Sequence, residues 1–428
     1  MNEIKEIPDK EVRRSYRPRI IDSRISQFLR ISGGVHITGC KWCGKSWTGV
    51  YHSRSSAFIG IESVRMIAEM DPELILKGEE PRLIDEWQDV PNLWDVARMN
   101  IDFGTRKGMY IFTGSSVPPQ NSTSHTGTGR FANIMMRPMS LFESGDSNGS
   151  VSLSSLFGGN ANVSSLSKMD YGTAIRLICR GGWPAGLNMS DEDALAISRL
   201  YSESLINSDL SRVDNVKRDP SIMRNLLSSL ARNNATTAKV SVLAADMTKE
   251  DRSVSEQTVS SYTDVLKKIF VIDEQKAWSP SLRSRKRMRT SPKRHFTDPS
   301  LAVACMGAGY SMVYDDPKTA GFLFESMCYR DLSVYSSAFG GRVSYYRDDS
   351  GLEADSIVEY GDGRWGAVEV KMGYKDVDKA AANLLRLKNK LADETVEPSF
   401  LMVLCATGGA AYMRKDGVAV VPADCLGP

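Results

Sequence analysis

The chain has 428 residues, of which 41% are hydrophobic and 25% charged, and its formal net charge is +2. These proportions exclude a disordered chain, and at roughly 150 residues per domain they suggest about three domains. The near-balanced charge makes any nucleic-acid reading a local matter. No apolar run reaches the ~18 residues that a membrane-spanning helix needs. The opening segment MNEIKEIPDKEVRRSYRPR is charged and lacks an apolar signal core. A cytoplasmic location without a membrane partner is therefore expected. Seven cysteines are an odd number in a long chain and make no disulfide framework. His36, His52, His125 and His295 do not pair at metal-ligand spacing, so a zinc site is not expected.

In chain order, Val35 to Thr38 reads as a short strand running into Gly39-Cys40-Lys41-Trp42-Cys43-Gly44-Lys45-Ser46, with a helix to follow. This is the GxxxxGK[ST] spacing in a strand-loop-helix setting. Its glycines let backbone N–H groups turn toward an anion, and the helix N-terminus adds partial positive charge. Lys45 would reach the β- and γ-phosphates, and the Ser46 hydroxyl would ligate Mg²⁺. Cys40 and Cys43 also read as small loop residues or as a redox pair, and Trp42 as a packing residue or a base contact.

Arg82-Leu83-Ile84 is a second short strand, ending in Asp85 and Glu86. Asp85 would hold the metal's water shell and Glu86 would polarise the attacking water. Neighbours on a strand face opposite ways, so the two differ in role or the chain turns there. A third strand, Met109 to Thr113, ends in Thr113-Gly114-Ser115-Ser116. Ser115 reads as a γ-phosphate sensor or as part of a simple turn. Arg130 and Arg137 follow as alternative arginine fingers.

GCKWCGKSWT, LIDEWQDVPNLW, YIFTGSS and RPMSLFES resemble the matching segments of a family of bacterial and archaeal ATPases. Those proteins carry an AAA-type P-loop core and a poorly characterised C-terminal region similar to a winged helix plus a restriction-endonuclease-like fold. The resemblance implies that Gly39, Cys40, Lys41, Trp42, Cys43, Gly44, Lys45, Ser46 and Trp47 contact ATP, with Asp85 and Ser115. It implies Ser46 and Asp85 around Mg²⁺, and catalytic roles for Lys45, Glu86 and Arg130. Cys40 stands where the family more often has proline.

Ser144 to Ser167 is rich in Ser, Gly and Asn and reads as a loop or linker. Helices are expected over 222–232, 240–247 and 253–269, the last capped by Ser253 or Ser255 and buried through Val259, Tyr262, Val265, Leu266 and Ile269. A strand at 270–272 and a hairpin wing over 276–296 would complete a winged helix. Within the wing Arg283, Arg285, Arg287 and Arg289, with Lys293 and Arg294, form the densest positive patch of the chain. Such a patch reads as a phosphate-neutralising surface or as a solvated hairpin.

Strands are expected over 342–347, 354–360, 364–371 and 400–405, with a helix over 376–391. Glu369 and Lys371 share one strand face, and hairpin pairing would bring Asp355 beside them around a divalent cation. This resembles the PD-(D/E)xK signature, with Glu325, on a helix beginning near Gly321, as the extra acidic residue. A surface Glu-Lys pair, or a nuclease-like fold kept only for binding, remains the alternative.

The expected architecture is thus α/β: an AAA-type P-loop core with a parallel sheet over 1–150, a helical winged-helix region over 151–305, and a PD-(D/E)xK-like α/β domain over 306–428. The partners this leaves room for are nucleic acid, DNA ahead of RNA, and a second copy of the chain. The function expected is a Mg-dependent ATPase, with an ATP-regulated nuclease or a nucleotide switch with an inactive tail as the other readings.

Overall fold

The structure is a computed structural model describing residues 9–104, 106–115, 128–209, 216, 218–248, 254–280 and 290–428. The chain separates into two compact units, one built chiefly from Met1–Pro138 and the other chiefly from Met139–Pro428.

The first unit is a five-stranded sheet. Its strands are β1 (Gly34–Thr38), β2 (Ser55–Phe58), β3 (Arg82–Asp85), β4 (Tyr110–Gly114) and β5 (Phe131–Met135), in the order β2-β3-β4-β1-β5. Every pairing is parallel. Helix α1 (Lys45–His52) follows β1, and α2 (Asn92–Gly104) precedes β4. Parallel strands need helical cover on their faces, which explains the near-continuous burial of the inner strands β1, β3 and β4, whereas the edge strands β2 and β5 are only partly buried. One aromatic cluster fills the layer beneath α2. Trp94 stacks on Phe131 at 4.2 Å and on Trp87 at 4.7 Å, with Phe112 edge-on.

The second unit begins with the segment read as a linker. A short helix at Leu141–Ser144 leads into it, and the structure gives the segment itself a short helix at Leu153–Phe157 and strands β6 (Val151–Ser152) and β7 (Ser164–Leu166). These strands pair with residues more than two hundred positions away, Val151 with Leu426 and Ser164 with Tyr412. Local composition does not encode such pairing.

Helices α3 (Tyr171–Arg180), α4 (Asp191–Ser204), α5 (Pro220–Arg232), α6 (Val240–Met247) and α7 (Glu256–Lys268) follow. Asp170 and Ser190 cap α3 and α4 by accepting backbone N–H groups, and Asp219 caps α5 with Pro220 in its first turn. Ser255 Oγ caps α7, accepting the Thr258 N–H at 3.1 Å. The expected face of α7 is buried through Val259, Tyr262, Val265 and Leu266.

An antiparallel ribbon of β8 (Ile272–Gln275) and β9 (Lys293–Phe296) comes next, the order in which a wing was expected. Arg283, Arg285, Arg287 and Arg289 lie outside the described residues. Helices α8 (Pro299–Cys305) and α9 (Pro317–Ser337) then lead to β10 (Arg342–Arg347), β11 (Glu353–Glu359) and β12 (Trp365–Lys371). Helix α9 starts ahead of the expected Gly321 because Asp316 caps it and Pro317 opens it. Helix α10 (Val377–Leu391) crosses from β12 to β13 (Phe400–Cys405), and β14 (Ala410–Met413), β15 (Val418–Pro422) and β16 (Leu426–Gly427) end the chain. The resulting sheet has the order β10-β11-β12-β13-β15-β14-β7. Its core packs Trp278, Trp365, Leu384, Leu387, Val403 and Val420 together. Among the described residues no helix is long and apolar enough to cross a membrane.

Candidate functional site

In open parallel sheets, ligands bind beyond the carboxyl ends of the strands. β4 lies between β1 and β3, so three strand tips converge there: the 39–46 loop after β1, Asp85 and Glu86 after β3, and Ser115 after β4.

The loop is built by conformation more than by side chains. Gly39 has φ +153° and Gly44 φ +104°, and a Cβ at Gly39 would sit 2.1 Å from the Met136 carbonyl oxygen. Only glycine fits that approach. Gly44 opens α1, so the helix N-terminus faces the loop. The buried Lys45 donates from Nζ to the Cys40 carbonyl at 2.8 Å, inside the turn where a phosphate oxygen would compete for it. Arg19 pins the loop from outside, donating to the carbonyls of Cys43 and Arg137 at 2.8 Å each. Gly49 lets α1 settle on the sheet, since a Cβ there would lie 2.7 Å from Leu83 Cδ1. Arg19 and Gly49 carry no motif, and their roles come from tertiary contact alone.

Trp42 takes φ +63° and is 50% exposed, so it does not pack beneath the loop; Trp47 is 46% exposed. Lys41 lies beside Trp42 in the same turn. Cys40 and Cys43 are wholly buried. Burial pushes the Cys43 thiol up, but Cys40, Lys45 and Arg19 outweigh it and bring it down to about 6.

Asp85 is buried at the end of β3. Burial raises its pKa, against hydrogen bonds from Thr113 and Ser46. Ser46 and Asp85 thus sit side by side, a hydroxyl and a carboxylate of the hard-oxygen type that Mg²⁺ takes. These residues fit that ion: they would hold it, and it would neutralise phosphate charge. Glu86 has φ +55°, so the chain turns directly after Asp85 and both carboxylates address the strand tips. Glu86 Oε2 accepts from Ser115 Oγ at 2.9 Å and from Gln88 Nε2. Ser115 therefore reaches the site through Glu86. Gln88, in the LIDEWQDV stretch, holds the same carboxylate and was not anticipated.

Arg130 is elsewhere. It precedes β5, and its carbonyl accepts the Gly34 N–H at 3.1 Å, at the start of β1. The loop lies at the other end, five strand residues away, roughly 16 Å at ~3.3 Å per residue. Arg130 instead pairs with Asp102 at 2.6 Å. It does not reach the phosphate loop of its own chain. Arg137, after β5, lies at the loop's end of the sheet, where Arg19 holds its carbonyl.

In the second unit, β11 and β12 bring the expected tail residues together. The register pairs Ser356 with Val368, and one step further places Asp355 opposite Glu369. Asp355 Oδ2 accepts the Val370 N–H at 2.8 Å. Lys371 Nζ lies 2.7 Å from Glu369 and 3.6 Å from Asp355. Asn383 of α10 donates to Glu369 Oε1 at 2.6 Å. Glu325 of α9 also joins the cluster, but through Lys293: Lys293 Nζ is 2.7 Å from Glu325, 3.0 Å from Glu353 and 3.6 Å from Asp355.

Burial, then repulsion from Asp355, raises Glu325 to about 8 and Glu369 to about 7. Burial opposes the charge on Lys293, but Glu325, Asp355 and Glu353 together raise its pKa. Lys293 was expected in a solvent-facing basic patch and is instead a buried ion-pair partner. Arg294 donates to the Ala238 carbonyl at 2.6 Å and lies 3.7 Å from Glu274. Glu353 and Asn383 were missed; the charged Glu353-Ala354-Asp355 alternation on a strand was the available signal. Among the described residues no group of three His, Cys, Asp or Glu side chains is disposed to hold a metal ion. Between the carboxylates of the expected set Asp355, Glu369 and Glu325 the structure places two ammonium groups, Lys293 between Glu325 and Asp355 and Lys371 between Glu369 and Asp355.

Residues 33–144 match a family model described as an AAA domain. Residues 172–311 and 320–426 match two domains of unknown function, DUF8612 and DUF4143. The uncharacterized proteins Rv2008c of Mycobacterium tuberculosis and Mb2031c of Mycobacterium bovis are each 23% identical over 408 residues, covering 94% of this chain and 82% of theirs. Among solved structures, the Walker-type ATPase PABY2304 of Pyrococcus abyssi aligns at 14% identity and TM-score 0.42, over 68% of this chain and 97% of that one. AMPPCP-bound DnaA from Aquifex aeolicus aligns at 11% identity and TM-score 0.28, over 58% of this chain and 86% of that one. At those TM-scores neither likeness bears on the site. The AAA-domain match and the parallel sheet together support a P-loop ATPase fold for the part of the chain that carries the loop.

Proposed function

We propose that the protein is a Mg-dependent ATPase whose nucleotide state governs engagement of nucleic acid by the rest of the chain. The observation that carries the ATPase reading is the convergence of the loop, Ser46, Asp85 and Glu86 at one end of a parallel sheet. The loop amides and Lys45 would cradle the triphosphate. Bound magnesium would supply charge neutralisation at the β- and γ-oxygens. Glu86, held by Ser115 and Gln88, would orient water in line with the γ-phosphate.

Three helices followed by a two-stranded ribbon support a winged-helix reading of the middle region, and β10–β13 with α10 support a nuclease-like reading of the tail. DNA is the expected nucleic acid, through Arg283, Arg285, Arg287 and Arg289. A second copy of the chain would be the source of any arginine finger. The alternative of a nucleotide switch with an inactive tail is favoured over an ATP-regulated nuclease by Lys293, a cation outside the PD-(D/E)xK signature that pairs with Glu325 and Asp355.

The test is ATP turnover by the full chain and its Glu86→Gln variant, with DNA and RNA, at low and high salt. The wild type should hydrolyse ATP, and Glu86→Gln should bind ATP normally yet turn over about 10²-fold more slowly. Nucleic acid should change the rate, less so at high salt. Equal turnover by both proteins would overturn the role of Glu86. A rate indifferent to every nucleic acid would overturn the coupling.

A further inference from the structure

We infer that Lys293 is the resident cation of the acidic cluster in the C-terminal sheet, so that this nuclease-like site takes no divalent metal. Glu325 comes from α9 and Glu353 and Asp355 from the start of β11, and all three direct an oxygen at the single Nζ of Lys293. Hard divalent cations need carboxylate oxygens at about 2.0–2.6 Å. An ammonium at 2.7 and 3.0 Å from two of those oxygens fills the position where such an ion would sit. A dication placed beside a buried ammonium would also be repelled strongly, because little water is left to screen the pair.

Lys293 is not free to swing aside. It is 4% exposed and pairs with Gln275 across the β8–β9 ribbon. Gln275 Nε2 donates to the carbonyls of Ser344 and Asp355 at 3.0 and 2.9 Å, and to Ser356 Oγ at 3.2 Å. His295, two residues along β9, bridges Ser326 Oγ at 3.3 Å and Gln275 Oε1 at 3.1 Å. The ribbon is therefore fastened to β10, β11 and α9, and it carries the ammonium with it. The remaining oxygens of Asp355 and Glu369 are taken by Lys371, Asn383 and the Val370 N–H. A tail wired this way lacks the divalent cation that metal-dependent phosphodiester cleavage needs, whatever becomes of the ATPase reading.

The experiment is Mn²⁺ titration of the nucleotide-free full chain by calorimetry and electron paramagnetic resonance, for wild type, Asp355→Asn and Lys293→Met. A Ser46→Ala background removes any contribution from the phosphate loop. Wild type should bind no Mn²⁺ in a way that Asp355→Asn abolishes. Lys293→Met should bind Mn²⁺ roughly tenfold or more tightly than wild type, and Mn²⁺ should raise its Tm. Because three clustered carboxylates without their ammonium can prevent folding, Lys293→Met with Glu325→Gln serves as the second variant, and it should gain Mn²⁺ in the same way. Stoichiometric Mn²⁺ binding by wild type that is lost in Asp355→Asn overturns the inference. So does a folded Lys293 variant that gains no Mn²⁺. If neither variant folds, the wild-type and Asp355→Asn titrations still decide.

Discussion

Two side chains adjacent in sequence, Asp85 and Glu86, do different work because the backbone changes hand between them. Asp85 ends a buried strand against Thr113 and Ser46, whereas Glu86 sits at φ +55° with its carboxylate on Ser115 and Gln88. A non-glycine residue at positive φ costs free energy, and functional sites are where such costs are tolerated. His36, on β1, presents a different case. Trp87 Nε1 donates to its Nε2 at 3.0 Å, which leaves Nδ1 as the donor to Asn133 Oδ1 at 3.1 Å and fixes the neutral ring. Burial lowers its pKa to about 4. The unfolded chain therefore takes up this proton near pH 6.5 and the folded one only near pH 4, so stability is full above pH 6.5 and falls as pH drops through that window. The loss approaches roughly 3 kcal/mol at the acid end. Urea melts at pH 7 and pH 4.5 should show this loss in wild type and much less of it in His36→Gln. An equal acid loss in both would show that His36 does not carry the effect.

At the level of elements, helix starts in this chain follow a recurring device, aspartate followed by proline. Asp219-Pro220, Asp298-Pro299 and Asp316-Pro317 open α5, α8 and α9. The aspartate accepts an otherwise unpaired amide, and proline gives up an N–H that the first turn does not need. Asp298 has a second duty, since it also accepts the Gly182 N–H at 2.9 Å and pairs with Arg330 of α9 at 2.8 Å. Arg330 is buried and also pairs with Asp331 at 2.7 Å, so one guanidinium ties the cap of α8 to the middle of α9. Removing it would strand two buried carboxylates. Arg330→Leu should cost about 3–5 kcal/mol in urea unfolding, and a cost below about 1 kcal/mol would contradict this assignment.

Over the whole molecule, the parts legible in the sequence are those that local chemistry encodes. The 39–46 loop declares itself because the glycine spacing is the conformation. Strands β10, β12 and β13 and helix α10 lie within a residue or so of the expected positions because their apolar periodicity is unbroken. What stayed hidden depends on pairing between distant segments. Arg130 and Arg137 look equivalent as a pair of arginines, and only the parallel register of β5 on β1 sends them to opposite ends of the sheet. The Ser-rich stretch after residue 144 looks like a linker because β6 and β7 find their partners only at the far end of the chain. Lys293 stands in a basic run and looks solvated, whereas strand alternation turns it inward onto acids contributed by two other elements.

The central claim is that the turn between Gly39 and Ser46 surrounds the triphosphate of a magnesium nucleotide. Calorimetric titration of the full chain with Mg²⁺ and a non-hydrolysable ATP analogue, beside the Lys45→Ala variant, addresses it most directly. A saturable one-to-one heat in wild type that Lys45→Ala abolishes is the predicted result. No heat in wild type, or the same isotherm in both proteins, would contradict it.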